Sequence, residues 1–363
     1  MINSRDRVFC PLSDYIIEYT DRNVANEYKP VAVGRYGIRT RESIYSKELA
    51  KNYEKNKLIY KDTLTVGMGS KQVDIGILSD DVTYSVSPAY HTYRITGINC
   101  DYLRYCLRCR NSDMFARYVK RGSRQGKSID LKRWIQYVIP VYSDMMQHEI
   151  VKRLDKAESL IALRNSELKE LDELIKARFV EMFGNPVTNE KGWPTKTLEK
   201  LCNSIVDCPH STPNYTFENT GYMCIRTSIV KENCIRWNEI EYISEEEFRR
   251  RIQRKRPEKG DIVYTREGAI LGIAAIIDKD CNVALGQRSM LLSPNEHQCS
   301  SVFLSVAMNF KSFLRTALRS MSGSASPHIN VGDIKSFVII VPPIEMQNEF
   351  EAFVNQVDKS KVA

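Results

Sequence analysis

Two stretches of the chain repeat each other at long range. YVIPVYSDMMQHEI (137–150) and FVIIVPPIEMQNEF (337–350) align without a gap at an offset of 200 residues. Each is an apolar strand-like run, a turn, and a helix start carrying MQ-x-E: Met146, Gln147 and Glu149 in one, Met346, Gln347 and Glu349 in the other. Upstream, GSRQGKSIDLKRW (122–134) lies opposite GSASPHINVGDIKSF (323–337), and YLRYCLRCRNSDMFARYVKRGS (102–123) opposite FLSVAMNFKSFLRTALRSMSGS (303–324). KDTLTVGMGSK (61–71) lies opposite KGDIVYTREGA (259–269). Anchors that keep one order and nearly one offset across most of a 363-residue chain mean two similar domains.

Between the copies lies DMMQHEIVKRLDKAESLIALRNSELKELDELIKARFVEMF (144–183). Apolar residues recur at Ile150, Leu154, Ala157, Ile161, Leu168, Leu171, Ile175 and Met182, the alternating steps of a coiled-coil seam. Arg164 and Arg178 interrupt that seam, and Gly184-Asn185-Pro186 stops it. About 40 helical residues make a rod of roughly 60 Å, and its apolar stripe needs a covering helix. The expected organisation is a first domain at 1–143, a long spacer helix at 144–184, a second domain at 185–342 and the start of a second spacer helix at 343–363.

One short stretch points elsewhere. RGSRQGKSI (121–129) has two glycines before a Lys-Ser pair, as in a phosphate-cradling loop. That loop needs four residues between its glycines, and Gly122 and Gly126 have three between them. The second copy keeps Gly323-Ser324 but has neither Gly126 nor Lys127. A loop whose frame repeats and whose interior varies suits recognition mounted on a scaffold rather than nucleotide binding.

Charge follows the same division. Residues 1–143 carry a net +9, 144–184 −2, 185–342 +3 and 343–363 −2. Basic globular blocks joined by acidic helices suit a polyanionic partner. No apolar run approaches the roughly 20 residues that span a bilayer, and MINSRDRVFCPLSDY lacks the apolar core of a secretory signal, so a cytoplasmic location is expected. Ten cysteines are then expected as free thiols. Cys100, Cys106 and Cys109 include a C-x2-C spacing that can share zinc, but no second such pair follows nearby. Helical periodicity through Tyr102, Leu103, Cys106 and Leu107 favours small buried helix cysteines.

The chain as a whole resembles the specificity subunit (HsdS) of type I restriction–modification systems. The motifs that carry the resemblance are GWP (192–194), DCPHSTPNY (207–215), IRTSIV (225–230), YISEEEF (242–248), GDIVYTREGAILG (260–272), LGQRSMLL (285–292) and HINVGDIKSFVIIVPPIEMQNEF (328–350), with ELKELDELIKARFVEMFGNP as the spacer. The resemblance implies a mixed α/β (α+β) fold with two target-recognition domains joined by long spacer helices in an antiparallel coiled coil. It implies a non-catalytic subunit that binds double-stranded DNA, each domain reading half of a split, asymmetric site. The implied partners are two DNA-adenine methyltransferase subunits and restriction/translocase subunits. S-adenosylmethionine, ATP and magnesium are implied for those partners, and no cofactor or metal for this chain. In the family the second spacer helix is comparable to the first; here it looks truncated at VNQVDKSKVA.

Arg reads guanine through paired hydrogen bonds, Gln and Asn read adenine, and Ser and Thr contact bases or phosphates. In the first half the candidates for DNA contact are Arg35, Tyr36, Arg39 and Arg41 in GRYGIRTR, Ser70 and Lys71 after GMG, and Ser123, Arg124, Gln125 and Lys127 in the GS loop. The second half offers Arg226, Thr227, Arg266, Glu267, Gln287, Arg288, Ser322, Ser324, Ser326 and His328. The basic run RRRIQRKRPEK (249–259) reads equally as a phosphate grip or a solvated face partly neutralised by Glu245, Glu246 and Glu247. His210 has a structural reading as a turn residue.

Catalytic chemistry finds no foothold. The only Pro-Pro, Val341-Pro342-Pro343-Ile344, lacks the flanking residues of an adenine-methyltransferase site, and Gly67-Met68-Gly69 continues without a third glycine. Two alternatives stay open: the recognition part of another split restriction–modification enzyme, and a coiled-coil adaptor with two protein-binding modules.

Overall fold

The computed structural model describes residues 7–34, 37–44, 52–69, 71–122, 126–268, 270–319 and 328–362. The chain divides into two compact units, 1–163 and 164–363. Each is built on a four-stranded antiparallel sheet with one strand order. In the first unit the lateral order is Ile16–Tyr19, His91–Ile95, Thr63–Met68, Val73–Leu78. In the second it is Cys202–Asp207, Ser289–Pro294, Ile262–Thr265, Ala274–Ile276. The pairing repeats as well: Val66 pairs with His91, and Tyr264, opposite Val66 in the repeat, pairs with Met290.

The elements around each sheet repeat in kind. A two-stranded pair joins Val8–Pro11 to Val138–Val141 in one unit and Thr195–Thr197 to Val338–Ile340 in the other. The helix Cys100–Cys109 buries Tyr102, Leu103, Cys106 and Leu107, the face its periodicity indicated. Its counterpart is Ser301–Met308. Asn99 and Ser300 cap these two helices by accepting from Tyr102 N–H and Phe303 N–H.

The repeated MQ-x-E motif has a packing reason. Gln147 and Gln347 are almost fully buried, 1% and 0% exposed. Gln147 Oε1 accepts from the Asn99 N–H at 2.9 Å, and its Nε2 donates to the Tyr142 carbonyl at 2.8 Å. Gln347 does the same with the Ser300 N–H at 3.0 Å and the Pro342 carbonyl at 2.8 Å. Each glutamine thus ties a helix cap to the strand exit that precedes its own helix. Such a buried amide must be paired on both sides, which few other side chains can do.

The first core gathers Leu64, Val66, Tyr93, Leu103, Leu107 and Trp134. The second centres on an aromatic stack of Phe179, Phe183, Phe303 and Phe350, with ring centroids 5.0–5.6 Å apart. The units differ beyond the shared sheet. Only the second carries, among the described residues, a three-stranded sheet in which Met223–Ile225 runs parallel to Val283–Leu285 and antiparallel to Glu241–Tyr242.

The long helix spans Asp144–Phe183 without a break. Within the second unit its C-terminal part packs antiparallel against the helix Ile344–Val362. Arg178 meets Glu349 at 3.2 Å, Lys361 meets Asp172 at 2.7 Å, and Arg164 donates to the Ser360 and Lys361 carbonyls at 3.2 and 2.9 Å. The two arginines that interrupt the seam are therefore cross-helix contacts. Arg164 satisfies carbonyls that a helix C-terminus leaves open, where a cation is also favoured by the macrodipole. In the first unit Leu154, Leu160, Ile161 and Leu163 on this helix are exposed. No helix among the described residues is long and apolar enough to cross a membrane.

Candidate nucleic-acid interface

Many of the candidate residues come to one end of each sheet, where the strands ending at Met68 and Thr265 leave and those starting at His91 and Ser289 begin. In the first unit this end holds the turn between Thr63–Met68 and Val73–Leu78, with Lys71 exposed on it. Gly69 is required there: a Cβ would sit 2.5 Å from Asp74 Oδ1 and 2.8 Å from the Gln72 carbonyl. Asp74, which sequence reasoning did not select, is half-buried, and burial raises the pKa of its carboxyl despite a hydrogen bond from Gln72. Beside the turn opens a cavity of about 480 Å³, lined among others by Arg41, Met68, Tyr90, His91 and Ser128. The Arg41 guanidinium lies 5.7 Å from the Tyr53 ring centroid. Arg39 is exposed on the strand Gly37–Thr40, opposite Ala32.

The GS loop of the first unit is framed by a hairpin, Val119–Gly122 against Gly126–Ile129, with Lys127 paired to Arg121 along the backbone. Gly126 and Lys127 thus lie in a strand. Arg35, Tyr36, Ser70, Ser123, Arg124, Gln125, Ser322, Ser324 and Ser326 lie outside the described residues.

In the second unit the structure brings four candidates together: Arg266, Glu267, Arg288 and His328. Arg266 is 3% exposed, so its charge is held inside the protein. Its Nε lies 3.1 Å from Asp207 Oδ1 without hydrogen-bond alignment, and its Nη2 donates to Asp207 Oδ2 at 3.3 Å. Nη2 is also 3.2 Å from Glu267 Oε1 and 3.5 Å from His210 Nδ1. Nη1 faces His328 Nε2 and the Ile329 carbonyl, both at 3.4 Å. His328 Nδ1 reaches Glu267 Oε1 at 3.0 Å, and His210 Nε2 reaches Asp207 Oδ2 at 3.2 Å. Asp207 and His210 were missed as members of this group. Their signal was a carboxylate three residues before an imidazole in the DCPH turn.

Around this buried node lie more exposed groups. Arg288 is 54% exposed, with Nε 3.9 Å from Glu267 Oε2. Its backbone holds a φ of 68°, a left-handed conformation uncommon for such a residue. Gly268 holds φ +86°, a conformation that favours glycine, with the Arg288 guanidinium in ordinary contact distance of it. Gln287 is half-buried. Arg226 stands apart from the node, paired to Glu241 at 2.9 Å and lying 5.3 Å from the Tyr215 ring centroid, with Thr227 following at the start of a short 3-10 turn.

Four residues of the basic run at 249–259 are ion-paired to neighbouring acids. In the helix Glu245–Arg251, Arg249 pairs with Glu245 at 2.6 Å, and Arg250 and buried Arg251 both pair with Glu247 at 2.6 Å. Lys255 meets Glu258 and Asp261 at 3.1 and 3.2 Å. Acids in the first turn and arginines in the last also suit the helix dipole.

Residues 190–363 match the family model of the type I restriction modification DNA specificity domain. No curated protein matches the chain. Among solved structures, the S subunit of a type I restriction-modification system from M. genitalium is 13% identical, with a TM-score of 0.56 over 99% of this chain and 92% of its own. A structure titled for complex assembly and conformational transition of the type I R-M system is 16% identical, with a TM-score of 0.48 over 98% and 91%. The HsdS subunit from Thermoanaerobacter tengcongensis is also 16% identical, with a TM-score of 0.37 over 98% and 90%. The first of these likenesses shows a shared fold across nearly the whole chain.

Proposed function

We propose that the chain reads a split DNA sequence, one half with each unit, on the support of the match of residues 190–363 to the type I restriction modification DNA specificity domain. The observation that carries this is the repetition outside the family match. The first unit has the strand order, strand pairing and buried glutamine brace of the second. Two copies of one recognition scaffold with different side chains at the same sheet end suit two different half-sites. The target is then asymmetric.

In this reading the chain contributes recognition and its partners contribute chemistry. Two DNA-adenine methyltransferase subunits dock on it, and restriction/translocase subunits join the larger assembly. S-adenosylmethionine, ATP and magnesium belong to those subunits. Lys71, Arg39 and Arg288 meet phosphates or base edges in this reading, which their exposure supports.

The test is methylome sequencing of cells expressing the full chain with its methyltransferase subunit, beside cells lacking the chain. The expected result is methyladenine in a split, asymmetric motif that appears only with the chain. Methylation without such a motif, or a motif independent of the chain, contradicts the proposal.

A further inference from the structure

At the sheet end of the second unit, an acceptor and a donor stand side by side with their other contacts already settled. Glu267 Oε1 is taken by Arg266 and His328, at 3.2 and 3.0 Å. Glu267 Oε2 faces Arg288 Nε across 3.9 Å, too long for a hydrogen bond between them. The Arg288 backbone is held in place: the Arg266 N–H donates to its carbonyl at 3.1 Å, and the next residue, Ser289, pairs with Thr265 in the sheet. The oriented Glu267 carboxylate and the exposed Arg288 guanidinium are therefore adjacent and able to take a further partner.

We infer that Glu267 and Arg288 together read one C·G base pair in the half-site taken by the second unit. This rests on the DNA-recognition role proposed above. The major-groove edge of a G·C pair presents guanine N7 and O6 as neighbouring acceptors, then the cytosine N4 amino donor. An arginine fork beside a carboxylate is the complement of that order: two donors, then an acceptor. An A·T edge presents acceptor, donor, acceptor, so an arginine fork there meets a donor where it needs an acceptor. Arg266 is the positioning residue. Buried and ion-paired to Asp207, it fixes the carboxylate of Glu267 and the backbone of Arg288 at once. In the first unit the position aligned with Glu267 is Gly69, which has no carboxylate, so this reading belongs to one half-site only.

The experiment compares methylated motifs in cells carrying the methyltransferase subunit and the full chain as wild type, Arg288→Lys or Glu267→Gln. Lysine keeps the charge for a phosphate contact but loses the fork. The expected wild-type motif has an invariant C·G pair in one half. Both variants relax that one position, with discrimination falling about tenfold or more, and leave the other half-site unchanged. A wild-type motif that both variants leave unchanged overturns the inference, as does relaxation at an A·T position. No chain-dependent motif with wild type overturns the broader proposal as well, so the two failures are told apart. Should Arg288→Lys abolish methylation while the purified variant melts like wild type, Arg288 acts in overall affinity and the base-pair assignment falls.

Discussion

Gln147 and Gln347 show what one residue can carry. Each is buried and satisfies a backbone N–H and a carbonyl at once. Gln347→Ala should lower stability by about 1–3 kcal/mol, because a buried donor loses its acceptor. Denaturant unfolding would measure this, and Gln147→Ala should behave alike. Arginine shows the opposite lesson. Arg266 and Arg288 look equivalent as candidate DNA contacts in the sequence, yet one is 3% exposed and the other's side chain 54%. Removing the buried one strands the Asp207 carboxylate, so Arg266→Ala should cost about 3–5 kcal/mol. The cysteines divide by burial as well. Cys202, Cys224 and Cys299 have thiol pKa values pushed up to about 12, chiefly by burial. Mass spectrometry after brief native alkylation at pH 8 should find these three unlabelled, since thiolate is the reactive form.

Among the elements, the central helix was the most legible. Its bounds follow from the seam periodicity and the Gly184-Asn185-Pro186 stop, and the structure runs from Asp144 to Phe183. Arg164 and Arg178 read as faults in the seam because a heptad pattern has no place for cross-helix hydrogen bonds. Phe179 went unselected for the opposite reason: it lies between the seam positions Ile175 and Met182, yet it is 0% exposed at the heart of an aromatic stack. Phe179→Ala should destabilise the second unit by about 3–5 kcal/mol, the range for emptying a large aromatic site in a core. The run at 249–259 was ambiguous in sequence because charge alone does not say where a side chain points. Helical spacing sets Arg249 on Glu245 and Arg251 on Glu247.

At the scale of the whole molecule, recognition of DNA and service as a protein adaptor differ in a measurable way. Phosphate contacts release counterions, so affinity for duplex DNA carrying the methylated motif should fall at least about 10³-fold between 50 and 200 mM salt if six or more phosphates are engaged. An apolar protein interface would be nearly flat over that range. The net charge of +8 is consistent with the steep outcome, its surplus lying mainly in residues 1–143.

By itself the sequence determined the repeat, the long helix and the two-scaffold plan. These are written in local periodicity, in chain breakers and in the order of residues along one chain, all visible without coordinates. Only the tertiary structure decided which charges face inward. Arg266 meets Asp207 and His328, 59 and 62 residues away in the chain, because strand pairing brings three segments to one sheet end. Burial is a property of packing between such distant segments. That is why the sequence could name the charged residues at this site but could not tell the buried arginine from the exposed one.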